Sequence, residues 1–377
     1  MPGFLLVIAL FQAGVLLCYW ALYHTLTSLA GFQGTLALRL VFLALAFSFL
    51  LASVLSFRRD GPLARALYTL SAVWLGLFHF LFWSSVLCWF LYWARAALGP
   101  GPFPASWART LLLLGLVTGL YGISNARGLR IRKIDVALHG RWAGRTAVFV
   151  SDLHLGPVRN LGFARSVAEG IRQLGPDMLF LGGDFYDGTR ADADGLIAPF
   201  SGIKPPLGIY FITGNHEEFS AGSKERYTRA ANNAGMKVLD NAVHIVDGLQ
   251  IAGVSYRETL TRAGYEKTLQ AMGLEKEKGK NLPVLLLKHS PMYPDVSLRE
   301  GVNFEICGHT HRGQIIPYNL ITRLVYKGFD GGLKRLGDLT VYTSTGAGTW
   351  GPPMRIGNRP EIVFIRFVQD TCLKNQS

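Results

Sequence analysis

The stretch TAVFVSDLHLG, residues 146–156, decides the fold of the second part of the chain. Its first five residues, TAVFV, predict a buried strand, and Asp152 and His154 follow where that apolar run stops. Residues two apart in an extended chain point to the same side, so both side chains should face one point at the carboxyl end of the strand. Carboxylate and imidazole groups are metal ligands. The stretch therefore predicts a strand end that can bind a metal ion.

Four more apolar runs end in the same way, at 177–184, 208–216, 283–290 and 303–311. The metal-capable residues at these ends are Asp184, then Asn215, His216 and Glu217, then His289, and finally His309 and His311. Sites in α/β sheets form at the carboxyl ends of strands, so the five ends should meet. Further strands are predicted at 131–138, 337–348 and 361–368, a hairpin at 243–254, and helices at 163–174, 224–235 and 261–278. This order predicts an α/β layer packed on a second sheet.

The types of ligand indicate the kind of metal site. Asp, Asn and His without Cys favour Mn, Fe or Zn, whereas a structural zinc site is closed by four ligands that usually include Cys. The predicted ligands are too many for one ion, and two ions sharing a carboxylate would account for them. Two-metal sites suit phosphoester hydrolysis because they generate a hydroxide and neutralise the phosphoryl oxygens.

The first part of the chain is apolar, and its composition changes near residue 125. Four segments are long enough, or nearly so, to cross a bilayer, which takes roughly 20 residues: 4–23, 36–57, 67–93 and 107–124. The predicted organisation is therefore a four-helix transmembrane domain at 1–125 and a catalytic domain at 126–377.

Basic residues predict the orientation of these spans. The stretches 58–65 and 126–135 carry three and four Arg or Lys residues and fall on the same side of a four-span topology. The positive-inside rule places that side, both termini and the second domain in the cytoplasm. The formal charge of +13 fits contact with anionic lipid headgroups. The second domain has no basic run interleaved with stacking aromatics, so nucleic acid is not expected as a partner.

Five motifs, SDLHLG, GGDFYDG, GNHE, KHSP and GHTHRGQ, resemble in this order the motifs of the calcineurin-like metallophosphoesterase superfamily. The resemblance spans about residues 146–315, and 343–362 is similar to the bacterial membrane-anchored branch. It implies a four-layer α/β/β/α sandwich. It also implies two divalent ions, with Mn favoured over Fe or Zn, and attack on phosphorus by a metal-bridging hydroxide.

The resemblance implies a role for each site residue. Asp152, His154, Asp184 and His311 would bind the first ion, and Asp184, Asn215, His289 and His309 the second, so that Asp184 bridges the two ions. His216 would be the general acid at the leaving oxygen, oriented by Asp187. Asn215 would also contact the substrate. Arg312 departs from the pattern, since many relatives carry Gly after the last motif His; its guanidinium could contact a second phosphate or a carboxylate, or equally be a solvated loop residue.

The substrate is predicted from the membrane part. Four spans are more than an anchor needs, so we expect a lipid-linked phosphoester or pyrophosphate, hydrolysed on the cytoplasmic side of the inner membrane. The resemblance includes enzymes of lipid A biosynthesis that cleave UDP-2,3-diacylglucosamine. Four other basic residues, Lys327, Lys334, Arg335 and Arg355, could bind a diphosphate or form a solvated face against the bilayer. The alternatives are a tethered phosphodiesterase for soluble nucleotides and a non-catalytic sensor or scaffold.

Overall fold

The computed structural model describes residues 2–99, 101–138, 142–219, 222–274, 276–277 and 280–369. They form two compact units. The first comprises Met1–Asn125 and Gly351–Met354, and the second comprises Ala126–Trp350 and Arg355–Ser377.

The first unit contains four long helices. They are α1 (Pro2–His24), α2 (Leu36–Arg58), α3 (Pro62–Leu98) and α4 (Ala105–Asn125), and a π-helical turn, Thr25–Leu29, extends α1. All four are long and apolar enough to cross a membrane. At 1.5 Å per residue, α3 is about 55 Å long and exceeds the hydrocarbon thickness of a bilayer.

Polar side chains connect the helices of the first unit. Gln12 donates a hydrogen bond to the carbonyl of Ala46 at 3.0 Å, which links α1 to α2. The Trp89 indole donates to Thr25 Oγ1 at 3.1 Å, which links α3 to the end of α1. Within apolar surroundings such bonds hold helices together, because an unpaired polar group there is costly.

The second unit contains fourteen strands and seven helices within the described residues. The strands are β1 (Arg130–Ala137), β2 (Thr146–Val150), β3 (Met178–Gly182), β4 (Ile209–Ile212), β5 (Lys237–Val238), β6 (Ala242–Val246), β7 (Leu249–Val254), β8 (Lys276–Glu277), β9 (Lys280–Asn281), β10 (Val284–Lys288), β11 (Phe304–Cys307), β12 (Gly332–Leu336), β13 (Leu339–Thr343) and β14 (Glu361–Val368). The helices are α5 (Leu161–Leu174), α6 (Ala193–Ser201), α7 (Asn215–Glu218), α8 (Ser223–Asn233), α9 (Arg262–Ala271), α10 (Pro294–Arg299) and α11 (Tyr318–Val325).

Two six-stranded sheets form the centre of this unit, with strand orders β1-β14-β2-β3-β4-β5 and β12-β13-β11-β10-β7-β6. Strands β2, β3 and β4 are adjacent and parallel in the first sheet. Strands β7, β10, β11 and β13 are adjacent and parallel in the second. The carboxyl ends of neighbouring parallel strands lie at one edge, so the topology brings together the ends that the sequence singled out.

Side chains on the two faces of each sheet define four layers. In β2, Val148 and Val150 pack with side chains of α5, α6 and α8, while Ala147 and Phe149 pack between the sheets. The outer face of the second sheet packs against α9 and α10. Alternation along the strands thus gives each sheet two apolar faces. The predicted α/β/β/α sandwich and the four long N-terminal helices are confirmed.

The predicted helix at 261–278 is wrong in its second half. Helix α9 ends at Ala271, and Gly273 has a φ of +56°. Lys276–Glu277 then pairs with Lys280–Asn281 as a two-stranded ribbon. Strand β12 and helix α11 were not predicted. Three of the five residues of β12 are exposed, so no alternating apolar pattern marks that strand.

Candidate metal centre

The predicted ligands follow five strands that meet at one edge of the two sheets. Asp152, Asp184 and Asn215 come after β2, β3 and β4, which are neighbours in the first sheet. His289 and His309 come after β10 and β11, which are neighbours in the second sheet. The sandwich therefore supplies ligands from both of its sheets.

Carboxylate and imidazole groups form three overlapping clusters at this edge. In each cluster the candidate ligand atoms lie within 4.8 Å of one another. The clusters are Asp152, His154 and His311; then His154, Asp184 and His216; then Asp184, His289 and His309. Together they contain every predicted His and Asp ligand.

Asp184 belongs to both the second and the third cluster. Its Oδ2 is 3.2 Å from His289 Nε2 and 3.8 Å from His154 Nε2. Asp152 Oδ1 is 3.5 Å from His311 Nε2, and the Nε2 atoms of His154 and His311 are 3.0 Å apart. The Asp184 carboxylate therefore lies close to an imidazole of each predicted ligand set.

Buried polar atoms without hydrogen-bond partners test whether a metal fits these residues. Among the described residues, Asn215 Oδ1 is buried and has no such partner, and buried His289 Nε2 makes no well-directed hydrogen bond beyond its 3.2 Å approach to Asp184. An unsatisfied buried acceptor is costly, and native proteins rarely leave one without an ion, water or ligand. Both residues belong to the predicted second ligand set, which also contains Asp184 and His309. The donor atoms therefore fit divalent cations.

The backbone at the site has conformations that non-glycine residues rarely adopt. Eleven non-glycine residues in the described part of the chain have positive φ, and seven are at or beside the site: Asp152, His154, Asp184, His309, His311, Arg312 and Gln314. Such residues persist only where the surroundings enforce them, and they cluster at functional sites. Five of these seven residues, Asp152, His154, Asp184, His309 and His311, belong to the three clusters.

Two glycines allow the ligand loops to approach closely. Gly183 has a φ of +84°, and a Cβ there would lie 2.7 Å from His289 Nδ1. A Cβ at Gly308 would collide with the Asp152 carboxylate and with Ser151. The glycines thus make room for neighbouring ligands.

Glu217 fastens two ligand loops together. Its carboxylate accepts the backbone N–H groups of Asp184 at 2.9 Å, Tyr186 at 2.9 Å and Gly214 at 2.7 Å. Burial, with a further contribution from the Asp184 carboxylate, raises the pKa of Glu217 to about 7. Glu217 therefore supports the ligand loops through their backbone N–H groups.

Arg355 contacts His311 and is fully buried. Its guanidinium lies 3.1 Å from His311 Nδ1 and donates to the carbonyls of Thr345 and Gly348, both at 2.6 Å. Its donors are directed inward, so both sequence interpretations of Arg355, as a headgroup ligand or a solvated residue, are wrong. It also donates to the His311 carbonyl at 3.4 Å, so it supports the loop that carries a predicted ligand.

His216 lies at the mouth of the site, with its side chain 17% exposed. Its Nδ1–H donates to the carbonyl oxygen of Asp187 at 3.1 Å, and the Asp187 carboxylate is farther away, at 4.0 Å. This bond leaves Nε2 as the atom free to exchange a proton. Asp187 therefore holds His216 through its backbone, while its carboxylate lies 3.6 Å from His154 Nδ1.

The pKa values of the clustered residues are shifted in different directions. Burial opposes charge on Asp184, but the imidazoles of His289 and His216 hold its pKa well below the usual range. Burial likewise opposes charge on His289, yet Asp184 and Asp152 raise its pKa to about 10. Burial and the neighbouring His289 lower the pKa of His309 to about 3. The Asp184 carboxylate and the His309 imidazole thus have the ionised and neutral forms that divalent metals require, whereas His289 would release a proton when it binds a cation.

Arg312 lies next in sequence to a predicted ligand and points to solvent. It follows His311, its side chain is exposed, and its stem passes Gly331. Lys327, Lys334 and Arg335 are also exposed.

Aromatic residues that sequence reasoning missed line the site. The Tyr256 ring lies 5.3 Å from that of His309, and the Trp350 ring lies 6.3 Å from that of His216. Tyr256 follows β7, which is parallel to β10, so the shared strand direction was the available signal. Arg355 and Trp350 come from a loop whose sequence carries no comparable periodicity.

Comparison with protein families agrees with this geometry. Residues 146–313 match the model of the calcineurin-like phosphoesterase family. The match begins with β2 and ends just after His311, so it includes every predicted metal ligand.

Curated relatives match a longer part of the chain than the family model does. An uncharacterized metallophosphoesterase of Aquifex aeolicus is 30% identical over 260 residues, which are 67% of this chain and 97% of the relative. A zebrafish (Danio rerio) transmembrane protein with metallophosphoesterase domain is 29% identical over 279 residues, 67% of this chain and 61% of the relative. An uncharacterized metallophosphoesterase of Helicobacter pylori is 28% identical over 232 residues, 61% of this chain and 60% of the relative. The chain thus spans about three fifths of the length of the last two.

Proposed function

Because the chain belongs to the calcineurin-like phosphoesterase family, we propose that it is a membrane-embedded two-metal phosphoesterase that hydrolyses a lipid-linked phosphoester or pyrophosphate. One observation supports the catalytic part most strongly. Imidazole and carboxylate groups lie on both sides of Asp184, which is within 4 Å of the Nε2 atoms of both His154 and His289.

The three clusters support an assignment of the predicted ligands to two ions. Asp152, His154, Asp184 and His311 would hold one ion, and Asp184, Asn215, His289 and His309 the other. When bound, two such cations, with Mn²⁺ favoured, would lower the pKa of water and neutralise phosphoryl oxygens. The protein positions two of these ligands beforehand, through Arg355 at the His311 carbonyl and the Gly182 carbonyl at His289 Nδ1.

His216 is assigned the proton transfer to the leaving oxygen. Its Nδ1–H is committed to the Asp187 carbonyl, and its side chain is partly exposed at the mouth of the site. A leaving alkoxide needs a proton, and an imidazole can donate one near neutral pH. Nε2 of His216 is the atom placed to do so.

The membrane part supports a lipid-linked substrate. Four helices are long and apolar enough to cross a bilayer, which is more than a tether requires. The basic stretches at 58–65 and 126–135 support a cytoplasmic position for the catalytic unit. UDP-2,3-diacylglucosamine is the first compound to test, and Asn215 and Arg312 are proposed to contact its phosphates.

Hydrolysis by the purified full-length chain in nanodiscs with Mn²⁺ tests the proposal. The lipid-linked pyrophosphate should be cleaved far faster than a soluble nucleotide phosphodiester. Asp184→Asn controls for contaminating hydrolases. Preference for the soluble compound would mean a tethered nucleotide phosphodiesterase. No hydrolysis of either compound by metal-loaded protein would favour a sensor or scaffold.

A further inference from the structure

Helix α11 turns its polar residues toward the protein and its apolar residues outward. Its polar residues Asn319 and Thr322 are partly buried, and Thr322 donates hydrogen bonds to the Asn319 carbonyl at 3.1 Å and to Asp330 at 3.2 Å. No residue of the helix is fully buried. Its large apolar side chains face outward instead, with Leu324 78% and Leu320 60% exposed. A helix of a soluble domain normally turns these faces the other way.

The outward apolar residues form one continuous segment, which we term the 316–325 surface. It consists of Ile316, Tyr318, Leu320, Ile321, Leu324 and Val325, all of which are at least 41% exposed. Soluble proteins rarely leave such a patch uncovered, and contiguous apolar patches mark contacts with proteins or membranes.

The charged residues beside the 316–325 surface indicate what kind of partner covers it. Between residues 316 and 335 the basic residues are Arg323, Lys327, Lys334 and Arg335, and all four are exposed. None of these four makes an ion pair with a carboxylate of the described residues. The single acid of the segment is Asp330, which is buried and bonded to Thr322. Apolar side chains accompanied by unpaired basic ones are the composition of helices that lie in the interface of an anionic bilayer.

Chain connectivity favours a bilayer over a second protein. Helix α4 ends at Asn125 and β1 begins at Arg130, so only a short connector joins a candidate membrane span to the catalytic unit. We propose that the 316–325 surface inserts into the headgroup region of an anionic bilayer. This proposal rests on the membrane location in the proposed function.

The position of α11 gives this contact a consequence for substrate entry. The helix begins seven residues after His311. Tyr326, which directly follows the helix, has its ring 6.1 Å from that of His309. The inserted surface therefore borders the metal centre. A lipid-linked phosphate at headgroup depth could reach the site without leaving the bilayer.

Photocrosslinking of the unaltered full-length chain tests the insertion. The protein is placed in nanodiscs of phosphatidylcholine and phosphatidylglycerol that contain a diazirine phospholipid, and adducts are located by mass spectrometry. Adducts are expected on 316–325 and on the spans, but not on the polar helix α8. Leu320→Gln with Leu324→Gln should reduce adducts on 316–325 to the level of α8, while detergent activity on a nitrophenyl phosphodiester is unchanged.

The other outcomes separate this proposal from the one on which it rests. Adducts on the spans with none on 316–325 would overturn the insertion and leave the membrane location intact. Adducts on neither the spans nor 316–325 would contradict the membrane location itself. A bifunctional protein crosslinker supplies the remaining control. Crosslinks between the 316–325 surfaces of two copies, with no lipid adducts there, would identify a dimer interface and would also overturn the proposal.

Discussion

The carboxylate of Glu217 accepts the backbone N–H of Asp184 at 2.9 Å, and this bond couples the loop after β3 to the loop after β4. The same carboxylate binds the N–H of Gly214 at 2.7 Å, next to Asn215. Two neighbouring strand ends thus share one buried acceptor. The position of Asp184 depends on a residue that is not itself a candidate ligand.

Glu217→Gln should destabilise the catalytic unit. The amide keeps one acceptor oxygen, but the other is replaced by a donor that faces backbone N–H groups. Leaving buried donors unpaired costs about 1–3 kcal/mol. Thermal unfolding in detergent should therefore occur at a lower temperature. Glu225→Gln, on the exposed side of α8, is the matched control and should unfold like the unaltered chain. Equal stability of the two variants would contradict this role for Glu217.

Metal content should respond to Asp184. The unaltered chain, purified without chelator, should contain more than one equivalent of divalent metal by elemental analysis. Asp184→Asn should contain less metal and hydrolyse a nitrophenyl phosphodiester more slowly, because a neutral amide is a poorer bridge between cations. A variant that keeps its full metal content would exclude Asp184 as the shared ligand.

The parallel strands and the residues that follow them were predictable from sequence because the signal is local. An apolar run followed by Asp or His is visible within about ten residues, as in 146–156. Five such ends and the right-handed connections of parallel sheets leave few arrangements. The sandwich follows, and so does the convergence of Asp152, Asp184 and His289.

The supporting contacts were not predictable because they join residues distant in sequence. Arg355 contacts His311 across 44 positions, and the pattern of residues around Arg355 resembles a solvated basic loop. Helix α11 was missed for a related reason. Its apolar residues point away from the core, so they do not mark a buried face.

Arg355→Lys should weaken metal binding. Lysine keeps the charge but cannot donate at once to the Thr345 and Gly348 carbonyls while packing against the His311 ring, as the guanidinium does. Loss of an outer-shell partner typically reduces metal affinity 10–100-fold, and competition with a chelator measures it. Arg359→Lys, at an exposed position, should have no effect. Unchanged affinity in Arg355→Lys would mean that the arginine only fills space.

The topology can be tested with a reporter fused after Ser377. The basic stretches 58–65 and 126–135 predict that both termini and the catalytic unit lie in the cytoplasm. A reporter enzyme that is active only in the periplasm should therefore be silent there. The same reporter fused within 94–106 should be active, since that loop faces the other side. Activity after Ser377 would overturn both the orientation and the proposed pool of substrate.

His216→Asn separates proton transfer from metal binding. His216 lies within 4.8 Å of His154 and Asp184 ligand atoms, so a ligand role competes with the assigned role as general acid. As general acid, its loss should leave the metal content unchanged and lower turnover roughly 10²–10⁴-fold on a poor leaving group. The loss should be much smaller on a nitrophenyl phosphodiester, whose leaving group departs without a proton. Loss of metal, or an equal loss of rate with both substrates, would instead place His216 among the ligands or in substrate binding.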